Sequence, residues 1–405
     1  SSLHKFFLSG SPSILDEAIG DYRKAVQRDP KFALAYAQLS YALSITYNYL
    51  GHHTQKRLLE AEDAATKALT FNPDLAQAHS AKGYVFYWGE RDYSSAMQQF
   101  RKALALKPQD AFLHMTVGAL YRREGNWKAA LREMQKAVSL DPRGIFALRN
   151  LALTYMALRH YKKALETDQQ ILSIEPNSPI DITNMAYQYD DNGQVGMALN
   201  MLQTAHANHK KNLYILSALA TTQMLAHRFS AACATTSKMH ANGQVYAWQV
   251  LSLEAETQRA CGHTAESRRE ETTLIKELNT ALEKTPNNSL MHATLGIAYA
   301  NIGNARQAIA EGRHAVALSP SNKDVFSSPD NMVNLALIYA RLHKPAQATN
   351  LLKTLMQTPA GTAISLRLLK VDPNWDPIRH TPEFQSLLRK HFKIHGDAEW
   401  DQPVQ

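Results

Sequence analysis

The sequence predicts an all-α, right-handed superhelical solenoid of about ten helix pairs with a C-terminal capping segment. Three observations predict it. Prolines recur evenly: Pro73, Pro108, Pro142 and Pro176 stand 35, 34 and 34 residues apart, and Pro286 and Pro320 are again 34 apart. That is the period of a helix-turn-helix array. Ala recurs five and twelve residues before the prolines, as Ala103 and Ala96, Ala137 and Ala130, and Ala315 and Ala308. Further upstream, a small residue is followed three later by Tyr or Phe: Gly83/Phe86, Gly118/Tyr121, Ala152/Tyr155, Ala186/Tyr189, Gly296/Tyr299 and Ala336/Tyr339.

Each unit reads as two helices of about 12–15 residues. The Gly or Ala of the first faces the Ala of the second, because small side chains let the backbones approach. Tyr or Phe fills the wider gap beside them. Proline ends the second helix, since it cannot continue the hydrogen-bond ladder and it restricts the residue before it. No unit buries its apolar face alone, so neighbours must stack.

In chain order, residues 1–32 read as an incomplete first hairpin whose second helix ends at Pro30. The repeat array follows over 33–361. The second pair, 33–73, carries an insertion of about nine residues around Tyr47–Arg57. Regular copies cover 76–108, 111–142, 145–176, 179–210, 289–320 and 329–360. The pairs at 213–240 and 246–286 are degenerate and lack a clean proline, so the register is unfixed over about 211–286. Residues 362–405 read as capping helices and a tail.

Composition agrees with a folded chain. Of 405 residues, 45% are hydrophobic and 20% charged, which is globular rather than disordered. No apolar run approaches the roughly 18 residues of a spanning helix, so membrane insertion is not expected. The opening SSLHKFFLSG lacks the long apolar region and cleavage site of a signal peptide. Without an initiating Met, the chain reads as an excised or processed piece. The net charge of +8 permits an acidic partner. Lys and Arg are nevertheless scattered, with Lys210-Lys211 and Arg389-Lys390 the densest groups, so a solvated basic surface outweighs direct nucleic-acid binding. Cys233 and Cys261 are too few for a disulfide scaffold. They read as two buried thiols, or as one bridge in an oxidising compartment.

The repeat residues resemble the tetratricopeptide repeat (TPR). The W-L-G-Y-A-F-A-P pattern of that family appears as His114, Val117, Gly118, Tyr121, Ala130, Met134, Ala137 and Pro142. The recurrence in register carries the likeness. Four stretches resemble a narrower type of TPR region: LHKFFLSGSPSILDEAIGDYRKAVQRDPKFALAYAQLSYAL, LAQAHSAKGYVFYWGERDYSSAMQQFRKALALKP, ALREMQKAVSLDP and LKVDPNWDPIRHTPEFQSLLRK. That type follows an effector domain in bacterial signalling proteins: a winged-helix DNA-binding domain, a class III adenylate cyclase or a Ser/Thr kinase. In the last stretch the resemblance implies that Trp375, Pro377 and Phe384 cover the final hydrophobic edge. The sequence holds no Gly-rich phosphate loop, His-Arg-Asp triplet, cyclase aspartate pair or recognition helix. The resemblance therefore implies only a sensory or partner-binding role.

Chemistry is sparse. There is no G-x-S-x-G, and neither cysteine has a catalytic motif around it. His391 and His395, with Asp397 nearby, have the spacing of two metal ligands on a helix but lack acidic partners, and they read as tail. His52-His53 reads as loop, and Asp190-Asp191 beside Asn192-Gly193 reads first as a polar turn. No enzyme, cofactor or metal is expected.

The default binding surface is the concave wall made by the first helices. Counted from each helix start, positions two, five, six, nine, twelve and thirteen face inward. Repeat three offers Tyr84, Tyr87 and Trp88; repeat four offers Phe112, Met115, Arg122 and Arg123. Repeat five offers Phe146, Arg149, Asn150, Leu153 and Met156; repeat six offers Thr183, Asn184, Tyr187, Asp190 and Asp191. Asn150 and Asn184 share one register position, taken again by Asn334. An Asn carries both donor and acceptor and can clasp a peptide bond; TPR proteins that hold extended peptides use such a ladder, which this resembles. Aromatics beside Arg122 and Arg123 suit carboxylate capture and so an acidic protein or peptide. Asp190 and Asp191 add an opposite charge that would set ligand direction. The leading expectation is a non-catalytic scaffold that regulates a signalling domain. A stand-alone adaptor or assembly factor in secretion or the cell envelope is the alternative, and a solenoid attached to an enzyme the third. Bacterial cytoplasm and periplasm both stay open, as do oligomeric state and ligand identity.

Overall fold

The computed structural model describes residues 12–49, 54–239, 247–320, 323–360 and 364–390. These residues form helices and turns, with no strand among them. The helices are α1 (Pro12–Arg28), α2 (Ala33–Tyr49), α3 (Gln55–Phe71), α4 (Ala76–Tyr84), α5 (Tyr93–Leu106), α6 (Ala111–Arg123) and α7 (Trp127–Leu140). Then come α8 (Ile145–Ala157), α9 (Tyr161–Ile174), α10 (Pro179–Asp191), α11 (Val195–Asn208), α12 (Leu213–Leu225), α13 (Phe229–Thr236) and α14 (Ala247–Ala260). The chain continues with α15 (Thr264–Lys284), α16 (Ser289–Asn301), α17 (Ala305–Leu318), α18 (Ser328–Arg341), α19 (Pro345–Gln357), α20 (Leu366–Val371) and α21 (Pro382–Leu388). Among the described residues this is an all-α tandem array of helix pairs. The extra residues of the 33–73 copy lengthen both of its helices to 17 residues. The degenerate stretch holds two further pairs, with α13 shortened to 8 residues and α15 extended to 21.

The sequence logic of the pairs is visible in the packing. Ala96, Ala103, Ala130, Ala137, Ala308 and Ala315 are all fully buried. A Cβ added at Gly118 would stand 2.8 Å from Met134 Cγ and 3.1 Å from the Ala130 carbonyl, so only glycine admits that approach. The carbonyls of Pro73, Pro108 and Pro286, at second-helix ends, each have a histidine partner in the next helix. His114 Nε2 lies 3.1 Å from the Pro108 carbonyl while its Nδ1 meets Glu133 Oε2 at 2.8 Å. His79 does the same with Pro73 and Gln99, and His292 with Pro286 and Glu311. Helix starts are capped by Asp92, Asn212, Asn288 and Asn304, whose side chains accept from the N–H three residues on.

The turns inside the pairs are equally regular from α4 to α13. Left-handed residues recur at Arg91, Gly125, Arg159, Gly193 and His227, each 34 residues after the last. At Arg159 the chain makes the paired bonds of a Schellman turn: Arg159 N donates to Met156 O and His160 N to Tyr155 O, both at 2.8 Å.

The chain forms two compact units: Ser1–Tyr121 with Ala129–Ala147, and Arg122–Lys128 with Leu148–Gln405. Unit 1 buries Leu15, Leu39, Leu43 and Ile45 against the alanines of α3, and Phe100, Leu113 and Leu120 further on. Unit 2 buries Met185, Leu199, Leu202 and Ile215 around α10 to α12. It closes on Trp375, Ile378, Phe384 and Leu387, packed against Leu352 and Leu355 of α19. Within unit 2, Cys233 and Cys261 form a disulfide with Cα atoms 6.8 Å apart.

Candidate functional site

Of the residues nominated from sequence, Tyr84, Tyr87, Trp88, Phe112 and Met115 lie in unit 1. Tyr84 and Tyr87 are buried. The Tyr84 ring centroid lies 4.3 Å from that of Trp88 and 4.7 Å from that of Tyr41, both tilted, and 4.9 Å from that of Phe100, edge to face, and its Oη lies 2.7 Å from Thr116 Oγ1. A six-residue π-turn, Val85–Glu90, carries Tyr87 and Trp88 into this cluster. Met115 is buried beside Ala137 and Phe146, and Phe112 remains at the surface. These aromatics hold one repeat to the next. The pocket beside Tyr41, Tyr84 and Phe112 is about 140 Å³.

The arginines belong to unit 2 and bond within it. Arg122 is buried; it donates to the Asn150 carbonyl at 3.2 Å, to Asn150 Oδ1 at 3.1 Å and to Thr154 Oγ1 at 3.1 Å. Its guanidinium stands 4.1 Å over the Phe326 ring. Arg123 donates to Asp324 Oδ2 at 2.5 Å and to Ser327 Oγ at 2.9 Å. Arg149 meets Asp181 through two bonds, 2.6 and 2.7 Å. The structure thus places the nominated cations on partners within the chain. Asn150 is tied to Arg122 in the same way, so the proposed asparagine ladder divides: Asn150 is bonded, and Asn184 is exposed.

Further along, the first-helix face opens. Asn184 and Tyr187 on α10 and Tyr214 on α12 are exposed. With Ile180, Thr183, Leu213, Ser217, Gln249 and Val250 they line a cavity of about 350 Å³ across α10, α12 and α14. A second cavity of about 150 Å³ shares Tyr187 and is lined by four carboxylates, Asp190, Asp191, Glu256 and Asp372, with Leu368 and Asn374 from the C-terminal segment.

Asp190 is 3% exposed, and Thr222 Oγ1 donates to its Oδ2 at 2.6 Å while Oδ1 has no hydrogen-bond partner. Burial pushes the Asp190 carboxyl up to about 7. Burial and the neighbouring Asp190 raise Asp191 well above the usual carboxylate range. Burial likewise pushes Asp372 up to about 6.

Tyr214, Gln249, Glu256 and Asp372 were not nominated. The inward-position count applied one repeat further selects Tyr214, Ser217, Ala218, Thr221, Met224 and Leu225, and all but the buried Ala218 line these cavities. Nothing local to Asp372 signals its approach from far along the chain. Among the described residues no group of three or more His, Cys, Asp and Glu could hold a metal, and no helix is long and apolar enough to cross a membrane. His52, His53, His391, His395 and Asp397 lie outside the described residues.

Two stretches match models of the tetratricopeptide repeat, residues 76–110 and 147–179. No curated protein matches the chain in sequence. Similar solved structures include YrrB, a TPR protein with an unusual peptide-binding site, at 22% identity, covering 48% of this chain and 95% of that one with a TM-score of 0.34. The type IV pilus biogenesis factor PilW is 19% identical over 49% of this chain and 91% of its own, TM-score 0.43. The human IFIT1 dimer with PPP-AAAA is 16% identical over 75% and 68%, TM-score 0.45. Two stretches thus match the repeat models and the described residues form helix pairs in tandem, so the chain carries tetratricopeptide repeats at 76–110 and 147–179.

Proposed function

We propose that the chain is a non-catalytic scaffold that holds an extended segment of a partner protein along the first-helix face of α10, α12 and α14. The observation that carries this reading is the cavity of about 350 Å³ with Tyr187 and Tyr214 exposed on consecutive repeats. Exposed aromatics in a groove are the usual anchors of an interface. The amides of Asn184 and Gln249 at the same cavity offer donors and acceptors to a peptide backbone. Repeat arrays bind through extended surfaces of this kind.

The role within the cell that best accords with the sequence is regulatory, as the partner-sensing region of a bacterial signalling protein. The N-terminal, third-repeat, fourth-repeat and C-terminal stretches support it. In such a protein a bound segment would shift the array between states through its differential affinity for them.

The test is capture of partners by the full chain and by a Tyr187→Ala/Tyr214→Ala double variant of equal helicity. Partners held by the first and lost by the second support the groove. Equal capture by both places binding elsewhere. For the regulatory role, the output of the associated effector should respond to the captured partner and not respond with the double variant.

A further inference from the structure

We propose that the carboxylate-lined pocket next to Tyr187 receives the cationic side chain, lysine or arginine, of the segment lying in the α10–α12–α14 groove. This rests on the groove reading above and specifies its partner: an extended peptide in which a basic residue follows an apolar or aromatic one.

The argument begins with an acceptor that the fold leaves unused. Asp190 Oδ1 is buried and has no hydrogen-bond partner, although Oδ2 of the same carboxyl is bonded to Thr222. An orphaned buried acceptor is uncommon and destabilises the folded state. Asp190 lines the pocket, so this carboxyl contributes to the wall that a donor entering there would approach.

The second observation is convergence. Asp190 and Asp191 come from α10, Glu256 from α14 and Asp372 from the turn after α20. Among the described residues none of the four is in an ion pair, whereas Arg122, Arg123 and Arg149 are each held by partners within the chain. Arg159 acts on Asp191, Arg341 and Arg379 on Asp372, and Arg341 also interacts with Glu256, but the influences on Asp190 are burial and Thr222 alone. The pocket is therefore short of positive charge at its most buried carboxyl. Charge complementarity names a cation as the occupant.

Size and setting narrow the cation. The pocket, about 150 Å³, is less than half the size of the adjoining groove, which suits a charged head group rather than a whole residue. Its walls also include Met224, Leu225, Leu253 and Leu368, which suit the methylene stem that carries an ammonium or guanidinium. No cluster of ligands for a metal ion occurs among the described residues. The groove beyond Tyr187 is apolar and aromatic, so the stem arrives from a peptide already seated there.

A random-dodecamer phage library selected on the full chain tests this. Binders dependent on the groove, lost on Tyr214→Ala, are expected to carry Lys or Arg at a fixed distance from an apolar residue. Replacing that basic residue by citrulline or acetyl-lysine should weaken binding roughly tenfold to a hundredfold, the worth of a charge-assisted bond. This arm changes only the peptide, so folding of a variant does not enter. On Asp190→Asn, whose carbonyl can still accept from Thr222, and separately on Glu256→Gln, the discrimination between basic and neutral peptide should shrink. Groove-dependent binders without a basic position, or with one whose neutralisation changes nothing, overturn the proposal and leave the groove standing. Absence of any binder lost on Tyr214→Ala overturns the groove and this inference together.

Discussion

The turn at Arg91 in unit 1 and the turn at Arg159 in unit 2 share a backbone. Each holds a non-glycine residue in the left-handed region, at φ 54° and 58°. Their surroundings are opposite. Arg91 is exposed. Arg159 is buried, and its guanidinium donates to the carbonyls of Leu355 at 2.8 Å and Ile364 at 3.2 Å, 196 and 205 residues away. Other turns of unit 2 are used likewise. Val325 N donates to the Arg123 carbonyl at 2.9 Å, Ser365 Oγ to Asp191 O at 2.5 Å and Arg367 to Asn192 Oδ1 at 2.7 Å. A Cβ at Gly193, where φ is +75°, would come within 2.9 Å of Arg367 Cβ. One turn design thus serves two ends: a plain reversal in unit 1, and in unit 2 a row of docking points for the C-terminal segment.

The largest expected effect that would break this contrast is at Arg149. Arg149→Met leaves Asp181, buried to 1%, without its cation and beside the buried Asp168. Removing one partner of such a pair costs about 3–5 kcal/mol. Removing Arg23 from its exposed pair with Glu60 in unit 1 should cost no more than about 1 kcal/mol. Urea titration of both variants decides, and equal midpoints would erase the distinction.

Acidity sharpens the same contrast. Burial pushes the carboxyls of Asp168, Asp190 and Glu271, all in unit 2, up to about 7. Unfolded carboxyls titrate near 4. The folded state therefore holds these protons more tightly, and the stability this brings is full below about pH 4 and lost as pH rises through about 7. Unit 2 should melt several degrees lower at pH 8 than at pH 5.5. Asp92 in unit 1 is instead lowered by its bonds to Ser95, so its contribution is constant across that window. Hydrogen exchange read peptide by peptide separates the units, and a parallel shift in both would refute the assignment.

The smallest effects come from the turns themselves. Arg159→Gly relieves a left-handed residue but loses two buried hydrogen bonds, for a net loss of about 1–3 kcal/mol. Arg91→Gly relieves the same conformation and loses no bond that holds another segment, for a gain of about 0.5–1 kcal/mol. Opposite signs in thermal melts are the expected result, and a shared sign would show that the turns are equivalent.

The helix pairs were legible because their determinants are local and periodic. Pro108, Ala96 and Gly118 each act on a neighbour within one repeat, and 34-residue spacing repeats the message. Tyr84 and Trp88 were harder, since the same aromatic suits a ligand or the next repeat, and only the position of Tyr41 and Phe100 decides between them. The roles of Arg122 and Arg123 were out of reach. Their partners include Phe326 and Asp324, about two hundred residues away, and no spacing rule connects them. Tyr214 lay within reach of the inward count, but the missing proline of its repeat hid the register.

The docking of Val325, Leu355 and Ser365 onto turns formed much earlier bears on how the chain folds. An ordinary repeat array can nucleate anywhere and grow by adding neighbours. Here the middle repeats make contacts that close loops of nearly two hundred residues, and such closures slow folding. During synthesis those repeats must wait, incompletely stabilised, until residues made nearly two hundred positions later emerge from the ribosome to complete them.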